Sequence, residues 1–177
     1  MFTAAFVKLN QLDKRGFRCW VFEPGMEFGS RKKWWQENGN RTNPHEGLDI
    51  CCYADRQGKI VGLPAKSIVP AMFDGVVVRI FADILGHSIM ISHAFRDGSM
   101  RLYSLYAHTE PTTALQQGEK VKGGEPIAVI CSAGGSRVPP HLHLSVLLTR
   151  ESVLDGFDWR TIHAAEDICL RDPRDFL

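Results

Sequence analysis

The sequence predicts an all-β domain, an antiparallel sheet or barrel-like sandwich with N- and C-terminal extensions. From about residue 54 onward, short apolar segments alternate with polar positions in the two-residue period of strands. Turn-forming residues recur between these segments, as closely spaced antiparallel strands require. The sequence contains neither an internal repeat nor a long stretch of helical periodicity, apart from a possible turn at 161–167. Many short strands with close turns are typical of all-β sheets and barrels.

The predicted strands follow one another in chain order and are bounded by turn signals. The first strand lies at 17–22, before Glu23-Pro24-Gly25, and a turn follows at 57–59. Later strands are expected at 67–71, 75–80, 87–93, 100–107, 126–131 and 140–146. The intervening turns and loops are expected at 73–75, 96–99, 118–124 and 132–140.

A polar segment at 29–44 is rich in turn formers and predicts a surface loop. Trp34-Trp35 interrupts its polar composition. The two tryptophans either pack the loop onto the domain or line a substrate groove, and the sequence pattern leaves both interpretations open.

Length and charge bound the class of protein. A chain of 177 residues fits one domain with its own core. We divide it into an N-terminal extension at 1–40 packed on the main domain, a main β-domain at 41–150 and a C-terminal extension at 151–177. The net charge of +1 gives no general attraction for nucleic acid or an anionic membrane. No apolar run approaches the length of a membrane span, about 18 residues or more.

The cysteines and the N-terminus bear on the compartment. An odd number of cysteines, five, at irregular spacing argues against a complete disulfide framework. The adjacent pair Cys51-Cys52 lacks the C-x-x-C spacing of a zinc knuckle, so we interpret the cysteines as mostly buried apolar side chains. Residues 1–10 have no basic region and no adequate apolar region, and they do not resemble a secretory signal.

Two histidines in the C-terminal third suggest a metal site. In a strand at 140–146, His141 and His143 share one face, whereas Leu142 and Leu144 point into a core. Two imidazoles above an apolar floor suit a metal ion. An H-x-H pair alone is more often a surface or hydrogen-bonded core pair, so further ligands are needed elsewhere in the chain.

A second potential ligand pair is His45 and Asp49. The segment nearly matches H-E-x-x-H, with Asp49 in place of the second histidine, but Pro44 and Gly47 disfavour a helix. In an extended segment, His45, Gly47 and Asp49 share a face, and Gly47 keeps side-chain bulk out of the gap between two potential ligands. Cys51 has the same parity as Asp49 and is expected to pack near the site rather than bind a metal.

These residues together could supply a hydrolytic zinc site. Such a site has three protein ligands and keeps the fourth tetrahedral position for water, and His45, Asp49 and His143 would make that set. The metal would lower the pKa of the water from about 15.7 toward ~7 and polarise a scissile carbonyl. His141 lies within reach of that water as general base. His108 ends another strand, where it could donate to the oxyanion or shuttle a proton to the leaving amine.

The order and spacing of these residues resemble the M23 metallopeptidases, the LytM and lysostaphin type that cut peptide bonds in peptidoglycan. The matching motifs are His45-x-x-x-Asp49, Tyr106-x-His108, His141-x-His143, Asp74-Gly75-Val76-Val77 and the segment 121–127. The resemblance covers about residues 45–150. It implies a lysostaphin-like β-domain with a narrow groove, one zinc ion on His45, Asp49 and His143, and catalytic histidines at His108 and His141.

The resemblance implies a zinc-dependent endopeptidase that hydrolyses peptidoglycan cross-links or bridges, with its catalytic domain at 41–150. The alternatives are a non-catalytic envelope-binding or regulatory module of this fold, and a zinc D,D- or L,D-carboxypeptidase. All five site positions are filled, which favours the enzyme. We expect a monomer whose partner is a peptidoglycan peptide. The family implies the cell envelope, periplasmic or extracellular, as its location.

Three further expectations concern residues outside the motifs. The connection between Asp49 and residue 67 is longer than is usual in the family and is expected to add a loop beside the groove. An N-terminal segment lying over the zinc site would make a latent enzyme. His87, His93 and His163 have no spacing partner, and we expect structural or surface roles for them.

Overall fold

The computed structural model describes residues 1–37, 39–132 and 138–177, and twelve strands lie within these ranges. The strands are β1 Phe17–Trp20, β2 Leu48–Ile50, β3 Cys52–Asp55, β4 Ile60–Gly62, β5 Ile68–Pro70, β6 Gly75–Ala82, β7 His87–Asp97, β8 Met100–Pro111, β9 Lys120–Val121, β10 Pro126–Ile130, β11 Leu142–Thr149 and β12 Cys169–Arg171. The helices are α1 Phe2–Leu9 and α2 Thr161–Ala164, with 3₁₀ helices at Glu151–Leu154 and Pro173–Phe176. Most of the loop predicted at 132–140, and residue 38 of the loop predicted at 29–44, lie outside the described residues.

A nine-stranded sheet carries most of the fold. Its strand order is β12-β11-β8-β7-β6-β9, while β2 pairs with β11, and β10 pairs with both β5 and β8. Strands β1, β3 and β4 form a separate three-stranded sheet. The strand pairs are antiparallel. The all-β, antiparallel prediction is therefore confirmed.

Strand β11 separates two apolar cores. Leu142 and Leu144 point into the main core, as their alternation predicts, and Leu147 points into a second core on the opposite face. Phe157 and Ile162, from the C-terminal segment, cover that second face. All eight residues of β11 are consequently buried. His143 also lies on this second face, near the N-terminal end of β11.

Helix α1 is not anticipated by the strand pattern of the sequence. Phe2 and Phe6 lie one helical turn apart and are buried in the main core. Burial of each aromatic side chain stabilises the fold by about 1.5–3 kcal/mol. Asn10 ends the helix and ties it to β5, because its side-chain amide donates to the Ile68 carbonyl at 2.8 Å and accepts from the Ile68 N–H at 2.7 Å.

The long connection after Asp49 is a hairpin rather than an open loop. Strands β3 and β4 pair with each other, and β3 also pairs with β1 near the N-terminus. The predicted turn at 57–59 joins them. Asp55 fixes this turn because its Oδ1 accepts hydrogen bonds from the N–H groups of Gln57 and Lys59, each at 2.9 Å.

Several predicted strand boundaries differ from the structure, and two of these differences lie near the predicted site residues. Strand β8 was expected to end at residue 107 but continues to Pro111, because β10 pairs with its final residues. Strand β11 was expected to begin at Pro140 but begins at Leu142. His141 therefore precedes the strand, and its Nδ1 donates a hydrogen bond to the Pro139 carbonyl at 2.8 Å.

A chain of buried polar groups crosses the main core at Tyr106. The Tyr106 hydroxyl accepts a hydrogen bond from the Met72 N–H at 2.7 Å and lies 2.9 Å from Ser104 Oγ. His93 Nε2 lies 2.8 Å from the same Oγ, and His93 Nδ1 donates to the Asp74 carbonyl at 3.0 Å. Burial lowers the pKa of His93. His93 thus has the structural role expected from the sequence.

We expect Tyr106→Phe to lower the free energy of unfolding by about 1–3 kcal/mol, because the buried Met72 N–H loses its acceptor. Tyr103→Phe is the matched control on the same strand. Among the described residues, the buried Tyr103 hydroxyl has no hydrogen-bond partner, so its removal should cost little or nothing. Urea unfolding of both variants measures the difference, and equal losses would contradict this account of the polar chain.

Candidate metal centre and active site

The three predicted ligands meet at one end of the nine-stranded sheet. Asp49 on β2 is the direct antiparallel partner of His143 on β11, so their side chains leave the sheet on the same face. His45 lies shortly before β2, where its N–H donates to the Ser30 carbonyl at 2.9 Å and its carbonyl accepts from the Gly29 N–H at 2.8 Å. All three side chains are buried.

The donor atoms of this cluster fit one tetrahedral zinc ion. His45 Nε2 lies 3.1 Å from His143 Nδ1 and 3.3 Å from Asp49 Oδ1. His143 Nδ1 lies 2.9 Å from the same Oδ1. Ligand atoms about 2.0–2.1 Å from zinc at tetrahedral angles stand roughly 3.3 Å apart. The three side chains therefore need only small movements to hold a single ion.

The remaining ring nitrogens of His45 and His143 also have partners. His45 Nδ1 donates to the Glu27 carbonyl at 3.0 Å, and His143 Nε2 lies 3.0 Å from the Ser145 hydroxyl. Such partners fix the orientation and tautomer of metal-binding histidines. Since a carbonyl only accepts, His45 Nδ1 carries a proton toward Glu27, and Nε2 is the ring nitrogen that faces His143 Nδ1 and Asp49 Oδ1.

The charge states in the cluster also suit a metal ion. Burial by itself raises the pKa of Asp49, but hydrogen bonds with His143 and His45 outweigh it and hold that pKa well below its usual value. Burial lowers the pKa of His143, and the hydrogen bond to Asp49 opposes this only in part. An ionised carboxylate and neutral imidazoles are the forms that bind metals.

The loop before His45 holds the second oxygen of the Asp49 carboxylate. Asp49 Oδ2 accepts hydrogen bonds from Trp34 Nε1 at 2.7 Å and from an Arg41 guanidinium nitrogen at 3.2 Å. The Arg41 guanidinium lies over the Trp35 ring, 4.7 Å from its centroid. The Trp34 ring packs edge-on against His141. Trp34 therefore packs the loop onto the site, whereas Trp35 lines the cleft. No pattern in the sequence indicates the role of Arg41.

His108 and His141 lie beside the ligand cluster, with their ring centroids 4.9 Å apart. His141 Nε2 is 3.8 Å from Asp49 Oδ1 and is not among the three mutually close donor atoms. Because His141 Nδ1 donates to the Pro139 carbonyl, Nε2 carries the lone pair of the neutral ring. Burial lowers the pKa of His141 to about 4, and the nearby Asp49 opposes this only in part.

Sequence reasoning missed a carboxylate that holds His108. Asp83, in the turn between β6 and β7, lies 3.1 Å from His108 Nδ1 through its Oδ1. Its Oδ2 accepts the His108 backbone N–H at 2.9 Å. Asp83 and His108 are separated by 25 positions in the sequence and form no recognisable local motif.

The predicted site residues share a cleft of about 440 Å³, which all five of them line. Its walls include the loop with Trp35 and Arg41, the turn with Asp83, and the C-terminal segment with Trp159 and His163. The Trp159 ring packs edge-on against His143, with centroids 5.1 Å apart. The C-terminal wall had no sequence signal, because a tryptophan alone does not indicate a cleft.

The other candidate side chains lie in different surroundings. His87 is exposed. His163 lines the cleft, and its Nε2 lies 3.3 Å from Glu46 Oε2. The structural or surface role expected for His163 did not include a place in the cleft. Cys51 is buried against Met26, with the two sulfur atoms 4.0 Å apart. The five cysteines are free thiols.

The sequence model of peptidase family M23 matches residues 43–154, which include all five site residues. The chain belongs to this family. The resemblance seen in the motifs is thereby confirmed. Parts of the cleft wall of this M23 peptidase, Trp35 and Arg41 before the match and Trp159 after it, lie outside the matched region.

Two solved structures have folds similar to this M23 chain. That of LytU gives a TM-score of 0.56 at 21% identity, covering 90% of this chain and 84% of that chain. The catalytic domain of the antimicrobial peptidase lysostaphin from Staphylococcus simulans gives a TM-score of 0.54 at 19% identity, covering 94% and 96%. At such identities the likeness concerns the fold. A comparison with curated proteins gives no match.

The described part of the chain contains no helix that could span a membrane. None of the helices there combines the length and the apolar composition that a membrane span needs.

Proposed function

We propose that this M23 chain is a zinc-dependent endopeptidase that hydrolyses peptide bonds in peptidoglycan cross-links or bridges. The observation that carries the proposal is the convergence of three donor atoms, each within 3.3 Å of the others, beside two further histidines in one cleft. A catalytic zinc site has three protein ligands and one open position, whereas a structural site is closed by a fourth ligand. The donor set found among the described residues has three members.

Each residue of the site has a distinct role in this proposal. Zinc held by His45, Asp49 and His143 would supply Lewis-acid polarisation of the scissile carbonyl and a more acidic water molecule. His141 accepts the proton of the attacking water at Nε2, because its Nδ1 is committed to the Pro139 carbonyl. His108, once its Nε2 has taken up a proton, donates to the developing oxyanion or returns that proton to the leaving amine.

Family membership and the cleft support a peptide substrate. The cleft walls carry two aromatic side chains, Trp35 and Trp159, and the cationic Arg41. Aromatic faces give an extended peptide apolar contact area on either side of the reacting bond. We place the protein in the cell envelope, where peptidoglycan is found, and we propose that it acts as a monomer, since one chain supplies all five site residues.

Mass spectrometry of fragments released from purified sacculi tests the proposed activity. With zinc we expect new peptide ends inside cross-links or bridges, with a chelator none, and with zinc added back a full recovery. Release of single terminal amino acids would instead indicate a carboxypeptidase. Absence of any product from the zinc-loaded protein would favour a non-catalytic module, and full hydrolysis by the metal-free protein would contradict zinc dependence.

A further inference from the structure

We propose that Asp83 is a positioning residue that fixes the ring orientation and tautomer of His108, so that Nε2 of His108 is the nitrogen available for the reaction. The inference rests on the proposed function, in which His108 is a catalytic residue. It adds a carboxylate that lies outside the motifs by which the site was found.

Hydrogen bonds from neighbouring residues hold the Asp83 carboxylate in place. Its side chain is 1% exposed, although the residue lines the cleft. Oδ1 accepts hydrogen bonds from the N–H groups of Leu85 and Gly86, each at 2.9 Å, which fixes the carboxylate within its own turn. Oδ2 accepts from the Ser88 hydroxyl at 2.8 Å. A carboxylate held by three local donors is rigid enough to orient a neighbour.

Asp83 contacts His108 at two points. Oδ2 accepts the backbone N–H at 2.9 Å, and Oδ1 lies 3.1 Å from Nδ1 of the ring. The backbone of His108 has a positive φ of 62°, a strained conformation for a non-glycine residue that persists only where its surroundings hold it. The bond to the N–H holds the backbone in this conformation, and the bond to Nδ1 then sets the rotation of the ring.

The contact with Nδ1 decides which nitrogen carries the proton. Burial raises the pKa of Asp83, but hydrogen bonds from His108 and from the backbone outweigh it and lower that pKa. An ionised carboxylate only accepts hydrogen bonds, so Nδ1 must be the protonated nitrogen of a neutral ring. His141 has a neutral backbone carbonyl in the equivalent position. The two histidines of the cleft are therefore held by partners of different charge.

The same carboxylate also helps to fix the C-terminal wall of the cleft. Ser88 Oγ, which donates to Asp83, accepts a hydrogen bond from Trp159 Nε1 at 3.0 Å. Removal of the carboxylate would therefore also disturb packing. A test of positioning must separate this structural effect from an effect exerted through His108.

The test compares Asp83→Asn with Asp55→Asn, in wild-type and His108→Ala backgrounds. Asp55 is the matched control, a buried carboxylate that accepts turn N–H groups in the β3–β4 hairpin. For Asp83→Asn in the wild type we expect kcat to fall roughly 10–100-fold, the range found when an orienting partner of a functional histidine is lost. KM and zinc content should change less than about twofold. In the His108→Ala background the same substitution should change kcat little.

Nitrogen NMR of the His108 ring gives a readout that does not depend on activity. The wild type should show a protonated Nδ1, and Asp83→Asn a mixture of the two tautomers. An unchanged ring spectrum, or an equal loss of kcat in both backgrounds, would overturn the inference. If wild-type protein shows no hydrolysis, the proposed function fails, and the ring spectrum still decides whether Asp83 orients His108.

Discussion

Gly47→Ala is expected to abolish most zinc binding and to lower the free energy of unfolding by about 1–3 kcal/mol, the usual cost of overpacking. An added Cβ would lie 2.7 Å from His143 Nε2, 2.7 Å from Ser145 Oγ and 2.5 Å from the Leu144 carbonyl oxygen. The carbonyl belongs to β11 and cannot move freely. Relief of the clash therefore displaces the His143 ring or separates β2 from β11, and either movement breaks the ligand set.

The matched control for this substitution is Gly62→Ala on β4, because an added Cβ there meets nothing within 4 Å. Zinc content after dialysis and urea unfolding, measured for both variants, check the prediction. A Gly47→Ala protein that retains one zinc ion with wild-type affinity would show that the gap between the ligands is not needed.

His141→Ala and His143→Ala are expected to differ in their effect on zinc binding. His143→Ala should weaken zinc binding by more than about 100-fold, beyond the 10–100-fold loss found for outer partners of metal ligands. His141→Ala should keep the zinc ion and lose about 10²–10⁴-fold in rate, the contribution typical of a general base. The distinction rests on geometry, since His143 Nδ1 belongs to the set of close donor atoms and His141 does not.

Titration calorimetry with zinc and the rate of fragment release from sacculi measure the two effects separately. His87→Ala is the control, because this histidine is exposed and lies outside the residues that line the cleft. Loss of zinc in His141→Ala, or full activity of that variant, would contradict the proposed division of roles.

Local patterns in the sequence predict much of the fold. The period-two alternation and the turn residues predict the strands that contain Ile89, Ile91 and Val77, all of which are buried in the main core. Helix α1 is missed because only Phe2 and Phe6 mark its buried face, and two residues do not establish a helical period. The covering of both faces of β11 depends on the C-terminal segment, whose position no local pattern indicates.

The candidate site is predictable only where its residues lie in short motifs. His45 with Asp49, and His141 with His143, are close in sequence and so can be recognised together. Arg41 and Asp83 act through contacts set by the folded chain, and their surroundings in the sequence resemble those of ordinary loop residues. The roles of the five motif residues remain predictions that the experiments above test.

The pairing of β2 with β11 links metal affinity to folding. Asp49 and His143 are direct partners across these strands although 94 positions separate them in the sequence. The proposed ligand set therefore forms only when this long-range pairing forms, and the unfolded chain has no preformed site for a metal ion. A ligand that binds only the native state stabilises it by about 2.7 kcal/mol at 100 times its dissociation constant. Bound zinc would thus stabilise the pairing of an N-terminal strand with a C-terminal strand and raise the free energy of unfolding of this chain.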